Sequence, residues 1–186
     1  QVFKPLARPL SEVHGLLVSA LEEILKTPVL IQVLTEVGAD FPDAVIARAV
    51  DVSKADQVEK LVADAVSHFG HLDILFSNAA IMLDGSVVDL PEADWDALFA
   101  VNVKGAFLCG KYGIPAMREK GGGSFIITAS ANSFFAESDI AGYCATKGAV
   151  MQLTRAMAID HGPEGVRVNC ICPGWIETPM SLPFLE

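Results

Sequence analysis

The amino-acid sequence predicts an α/β fold in which helices alternate with the strands of a parallel sheet. Three observations carry that prediction. Short apolar runs recur between helical stretches over residues 44–171, the rhythm of βαβ units. Polar or turn residues follow where those runs end: Ser77-Asn78 after Leu72–Phe76, Ser130 after Ser124–Ala129, and Pro173-Gly174 after Val166–Ile171. Such exits form the mouth at which open parallel sheets hold their ligands. The length of 186 residues, 52% of them apolar, with a mean hydropathy of +0.42, suits one domain with a substantial core.

Taken in order, residues 1–9 form an irregular lead-in, because Pro5 and Pro9 remove donors and restrict their neighbours. Ser11 is placed to cap a helix running to about Lys26, with Val13, Leu16, Leu17, Ala20, Leu21 and Ile24 as its apolar stripe. Pro28 opens a second helix over Val29–Val37 that Gly38 closes, although β-branched residues leave a strand open there. Ala44–Val50 is expected as a strand and Ala55–Phe69 as a helix, followed by a strand at Leu72–Phe76 and a loop to about Pro91. One long helix is expected over Glu92–Lys120, bent around Gly105 to Gly113. Gly121-Gly122-Gly123 makes the turn into a strand at Ser124–Ala129, and a helix over Gly142–His161 leads to a strand at Val166–Ile171.

Charge excludes some functions. With 13 basic against 23 acidic residues and a formal charge of −10, no basic cluster is available to neutralise phosphates, so neither nucleic acid nor an anionic membrane surface is an expected partner. No run of about twenty apolar residues suggests a membrane span, and Glu12 and His14 interrupt anything resembling a signal peptide. Cys170 and Cys172 have strand spacing and would share one face. With Cys109 and Cys144 they show no metal-ligand pattern. Four small buried thiols fit a reducing cytoplasm, and no metal site is expected.

The sharpest chemical feature is Tyr143-Cys144-Ala145-Thr146-Lys147. In a helix, positions i and i+4 share a face. An ammonium beside a phenol favours the phenolate and lowers a reference pKa of roughly 10. A phenol tuned in this way exchanges a proton with an alcohol or carbonyl oxygen. The pair alone is weak, since surface helices carry it by chance. It stands with Asp51-Val52, Ser77-Asn78-Ala79-Ala80, Asn102, Ser130 and Pro173-Gly174-x-x-x-Thr178 in a fixed order. On these residues, from about Val45 to Met180, the chain resembles a short-chain dehydrogenase/reductase of the type that interconverts ketones and secondary alcohols with a nicotinamide cofactor.

The resemblance implies a Rossmann-like three-layer parallel sheet and a homo-oligomer, dimer or tetramer. It assigns Tyr143 as proton donor or acceptor. Lys147 would lower the phenol's pKa and hold the nicotinamide ribose, Ser130 would polarise the substrate carbonyl, and Asn102 would hold a water linking Lys147 to solvent through a helix irregularity. Asp51, Val52, Asn78 and Ala79 would line the adenine side of NAD or NADP, and Pro173, Gly174, Ile176 and Thr178 the nicotinamide side, joined by Tyr143 and Lys147. From the residues alone, Ser130 reads equally as a strand-end cap, Asn102 as a helix-interior polar residue with a local hydrogen bond, and Asn78 as a hydrogen-bond hub.

The sequence also departs from that family. None of its 15 glycines makes the expected phosphate-binding spacing, and Ala80 stands where glycine is usual. The expectation is therefore a Rossmann-like domain over 41–186, cut short at the C-terminus. A helical segment over 1–40 would stand in place of the first two strands. Ala44–Val50 would then pair directly with Leu72–Phe76 or lose its ladder. The alternative to an enzyme is a catalytically silent fragment serving oligomerisation or binding.

Overall fold

A computed structural model describes residues 16–18 and 46–176. Its elements in chain order are β1 (Leu16–Val18), α1 (Ala55–Phe69), β2 (Ile74–Ser77), α2 (Glu92–Leu98), a π-helical segment (Phe99–Lys104), α3 (Gly105–Arg118), β3 (Gly123–Thr128), α4 (Ala141–His161) and β4 (Val166–Ile171), with short 3₁₀ turns at Ala131–Ser133 and Gly162–Glu164. The strands form one parallel sheet in the order β1-β2-β3-β4. Parallel neighbours require helical crossovers, which the intervening helices supply.

Alternation along the strands decides where the core sits. Leu75, Phe125, Ile127, Val166 and Val168 are buried, whereas Arg167, Asn169 and Ile171 are exposed. The buried set meets α3 closely. A Cβ on Gly110 would touch Phe125 of β3 and Met157 of α4, and one on Gly113 would collide with Leu75. Helix α1 packs on α3 through Val58, Leu61, Val62 and Ala65, which are buried at helical spacing. Gly70 ends α1 in the left-handed region at φ 82°, where its N–H closes on Val66 O.

Helix α1 and strand β4 lie where the apolar pattern predicts, and β2, β3 and α4 agree within two residues at each end. Three expectations need correction. The helix predicted from Ser11 to Lys26 fails at its centre, because Leu16–Val18 is a strand in register with Ile74–Phe76. A short apolar run is compatible with either state, and the exposed edge of β2 supplies hydrogen-bond partners that a helix would not use. The strand predicted at Ala44–Val50 is irregular over residues 46–50, the β2 edge being held by β1. The single helix over Glu92–Lys120 is broken not at Gly105 to Gly113 but just before, in the π-helical Phe99–Lys104. The expected second helix, Val29–Val37, lies outside the described residues.

Candidate active site

The carboxyl ends of β2, β3 and β4 open onto a cavity of about 360 Å³. Strand β3 delivers Ser130 two residues beyond its end, in extended backbone at φ −162°. The Ser130 Oγ caps the 3₁₀ turn by accepting from Asn132 N at 3.1 Å and donates to Asn132 Oδ1 at 3.1 Å. The strand-end cap and the cavity-lining hydroxyl are thus the same atom. Ser133 Oγ donates to Lys147 O at 2.8 Å, tying this turn to α4.

Helix α4 brings Tyr143 and Lys147 to the cavity on one face. Its start is fixed by the loop after β2: Gly85 N donates to Asp139 O at 2.7 Å, and Ala141 N to Gly85 O at 3.3 Å. Lys147 is 2% exposed. Its Nζ donates to Thr128 O at 2.8 Å and lies 5.4 Å from the Tyr143 ring centroid. Burial pulls the ammonium down to about 8. An ammonium carries three N–H donors, so Thr128 leaves two for a ligand.

The phenol itself behaves differently from the expectation. Burial raises Tyr143 above its ordinary value, the Ser130 hydroxyl draws it partly back, and Cys144 adds to the rise. The Lys147 charge sits over the ring and against the Thr128 carbonyl, and does not offset the desolvation.

Asn102 is buried inside the π-helical segment. Its Oδ1 accepts from Ile81 N at 2.8 Å, and its Nδ2 donates to Ile81 O at 2.9 Å and to Thr146 Oγ1 at 3.0 Å. Thr146 Oγ1 in turn donates to Tyr143 O at 2.8 Å. Asn102 therefore links the loop after β2 to the first turn of α4. It does not itself line the cavity.

Of the remaining predicted residues, Asn78, Pro173, Gly174 and Ile176 line the cavity. Asn78 Oδ1 accepts from Thr128 Oγ1 at 2.8 Å. Ala80 lines it too, and Ala79 packs on the core. Asp51 and Val52 are not among its walls. Val52 is buried where a Cβ on Gly105 would press on it, and Asp51 is tied to the start of α1, its N donating to Gln57 Oε1 and its Oδ1 accepting from Ser53 N. Thr178 lies outside the described residues. Phe135 and Trp175 line the cavity and Phe134 does not.

Sequence reasoning missed three contributors: Thr128, whose carbonyl holds Lys147, and the pair Asn132 and Glu137. Glu137 Oε2 accepts from Asn132 Nδ2 at 3.0 Å and Oε1 from Trp175 Nε1 at 2.9 Å. No spacing rule marks a backbone acceptor, and a loop carboxylate has no periodicity. Cys170 and Cys172 do share a face, with Sγ atoms 4.0 Å apart. Among the described residues no group of three or more His, Cys, Asp or Glu could hold a metal ion, and no helix is long and apolar enough to cross a membrane.

The residues present fit a nicotinamide cofactor on the side they describe. A buried ammonium with spare donors faces the cavity, and Gly174 has open space where a Cβ would stand.

Comparison with known proteins agrees with this geometry. A family model described as short chain dehydrogenase matches residues 23–185. Meso-2,3-butanediol dehydrogenase of Serratia marcescens is 36% identical over 151 residues, covering 81% of this chain and 60% of that protein. D-beta-hydroxybutyrate dehydrogenase of Cupriavidus necator is 36% identical over 130 residues, covering 70% and 50%. Among solved structures, levodione reductase superposes with a TM-score of 0.74 at 35% identity, over 81% of this chain and 59% of that one. A short-chain type dehydrogenase/reductase from Mycobacterium marinum gives 0.77 at 31% identity, over 83% and 62%. The chain thus spans half to three fifths of the length of these proteins. With the family model matched over most of its length and the sheet edge carrying the expected tyrosine, lysine and serine, this chain belongs to the short-chain dehydrogenase/reductase family.

Proposed function

We propose that the chain carries the catalytic half of an NAD- or NADP-dependent oxidoreductase that interconverts a secondary alcohol and a ketone. The observation that supports it is the convergence of Tyr143, Lys147 and Ser130 on one cavity at the carboxyl edge of the sheet. The bound cofactor supplies or accepts the hydride. In the reductive direction the Tyr143 hydroxyl, protonated at neutral pH, donates to the ketone oxygen. The Ser130 hydroxyl orients that oxygen and stabilises charge developing on it. Lys147 offers its two spare N–H groups to the cofactor's ribose hydroxyls. Asn102 acts behind them, and we assign it the water that connects Lys147 to solvent. That two relatives are named meso-2,3-butanediol dehydrogenase and D-beta-hydroxybutyrate dehydrogenase supports the alcohol–ketone reading.

Tyr143→Phe is the test. With cofactor and a secondary alcohol supplied, it should lower kcat by about 10²–10⁴ while leaving the melting temperature close to that of the parent. Equal turnover by both proteins would overturn the assignment.

We further propose self-association into a homo-oligomer, in the cytoplasm, where the four free thiols stay reduced. The supporting observation is a second cavity, of about 350 Å³, between α3 and α4. It is bordered by Phe107, which is 47% exposed. Phe107→Asp should convert the oligomer to monomer by light scattering; unchanged mass would remove this face from the interface.

A further inference from the structure

The cavity beside Tyr143 has a charge asymmetry that hydride transfer does not require. Its apolar wall is built from Ala80, Met82, Phe135, Trp175 and Ile176, and its lining holds a single carboxylate, Glu137. Among the described residues the only cationic side chain on the lining is Lys147. That ammonium is buried and engaged with Thr128 O, and its two remaining donors are those assigned above to the cofactor's ribose. Glu137 keeps its charge. The Trp175 indole N–H, then the Asn132 amide, hold its carboxyl below the usual range. The same two bonds, 2.9 and 3.0 Å long, engage both of its oxygens and orient it on the cavity lining.

We infer that this cavity, taken as the oxidoreductase site proposed above, selects neutral, largely apolar ketones and secondary alcohols over carboxylate-bearing ones, with Glu137 as the residue that enforces the selection. With Lys147 committed to the cofactor, a ligand carboxylate would lose its water against an apolar wall and face Glu137 with no other cation among the described lining residues to pair with. A neutral ligand of the same shape loses little by entering, and gains the contact with Trp175 and Phe135. Exclusion of the wrong partner by an unpaired like charge is a general route to specificity. Because Asn132 also accepts the Ser130 proton at 3.1 Å, Glu137 sits one residue behind the hydroxyl that would meet the reacting oxygen.

The test compares acetophenone with phenylglyoxylate, the same ring with and without a carboxylate, by calorimetry on the full chain with NADH or, in parallel, NADPH present. Acetophenone should bind at least tenfold tighter to the parent. Glu137→Gln should narrow that ratio to within threefold, and Glu137→Lys should invert it. A merely structural Glu137 would weaken both ligands equally and leave the ratio unchanged. That outcome would overturn the inference, as would equal affinities in the parent or no binding of either compound. Oxidation of either reduced cofactor, followed in the same samples, separates the two proposals. The expected ratios without turnover of either ketone would sink the oxidoreductase reading and leave the charge selection standing. Turnover with a flat ratio would do the reverse.

Discussion

Lys147 and Tyr143 are both displaced from their ordinary protonation behaviour by the same cause, removal from water. The lysine is depressed to about 8 from 10.5, so the folded state disfavours the ammonium. Between those values the unfolded chain binds the proton that the folded one has released. Stability therefore rises with pH through that window and is lowest below about 8. Replacing the ammonium should show it directly. Lys147→Met is expected to gain about 2 kcal/mol at pH 7, the desolvation relieved less the hydrogen bond lost to Thr128, and the gain should shrink towards pH 10.5 in urea titrations. Tyr143, raised by burial, is a phenol at neutral pH, the form that the proposed reaction needs as donor. Ketone reduction should accordingly hold its rate through neutral pH and fall on the alkaline side. Alcohol oxidation should climb with pH, as kcat/KM profiles in the two directions would record.

At the scale of elements, the π-helical segment is what turns an ordinary helical asparagine into a structural tie. Widening the helix at Phe99–Lys104 leaves Asn102 buried against the backbone of Ile81, and π-bulges recur at functional sites. Asn102→Ala leaves both Ile81 backbone groups and Thr146 Oγ1 without that partner, and should cost about 3 kcal/mol in urea denaturation. A loss under 1 kcal/mol would mean that water replaces the amide. The turn before β3 is equally specific. Gly122 has φ 123°, and a Cβ there would collide with the Gly165 carbonyl that accepts from Gly123 N at 3.2 Å. Gly122→Ala should cost about 3 kcal/mol by disturbing the β3–β4 register, seen as a drop in melting temperature. Because β3 and β4 position Ser130 and Gly174, cofactor affinity should fall with it.

For the whole molecule, the sheet is organised so that its carboxyl edge, and not any single element, makes the site. Ser130 follows β3, Tyr143 and Lys147 come from α4, and Gly174 follows β4. The backbone bond from Ala131 N to Pro173 O at 2.8 Å joins the loops after β3 and β4 directly. A variant that merely loosens this edge should therefore lose ligand affinity before it loses secondary structure. Circular dichroism and ligand titration on the same sample would separate the two.

The sequence by itself determined the alternation of strands and helices from Ala55 onward, the order of the candidate site residues and the family. Val166–Ile171 and Ala55–Phe69 were legible because a period of two and a period of 3.6 are local properties. Leu16–Val18 was not, since three apolar residues fit either period and only the vacant edge of β2 made them a strand. The tertiary structure alone decided that the phenol is raised and the ammonium lowered, because burial belongs to the assembled sheet edge and not to the spacing of Tyr143 and Lys147. It alone brought Glu137 against Trp175, 38 residues away, because a contact over that separation depends on how the chain returns and not on any neighbour in sequence.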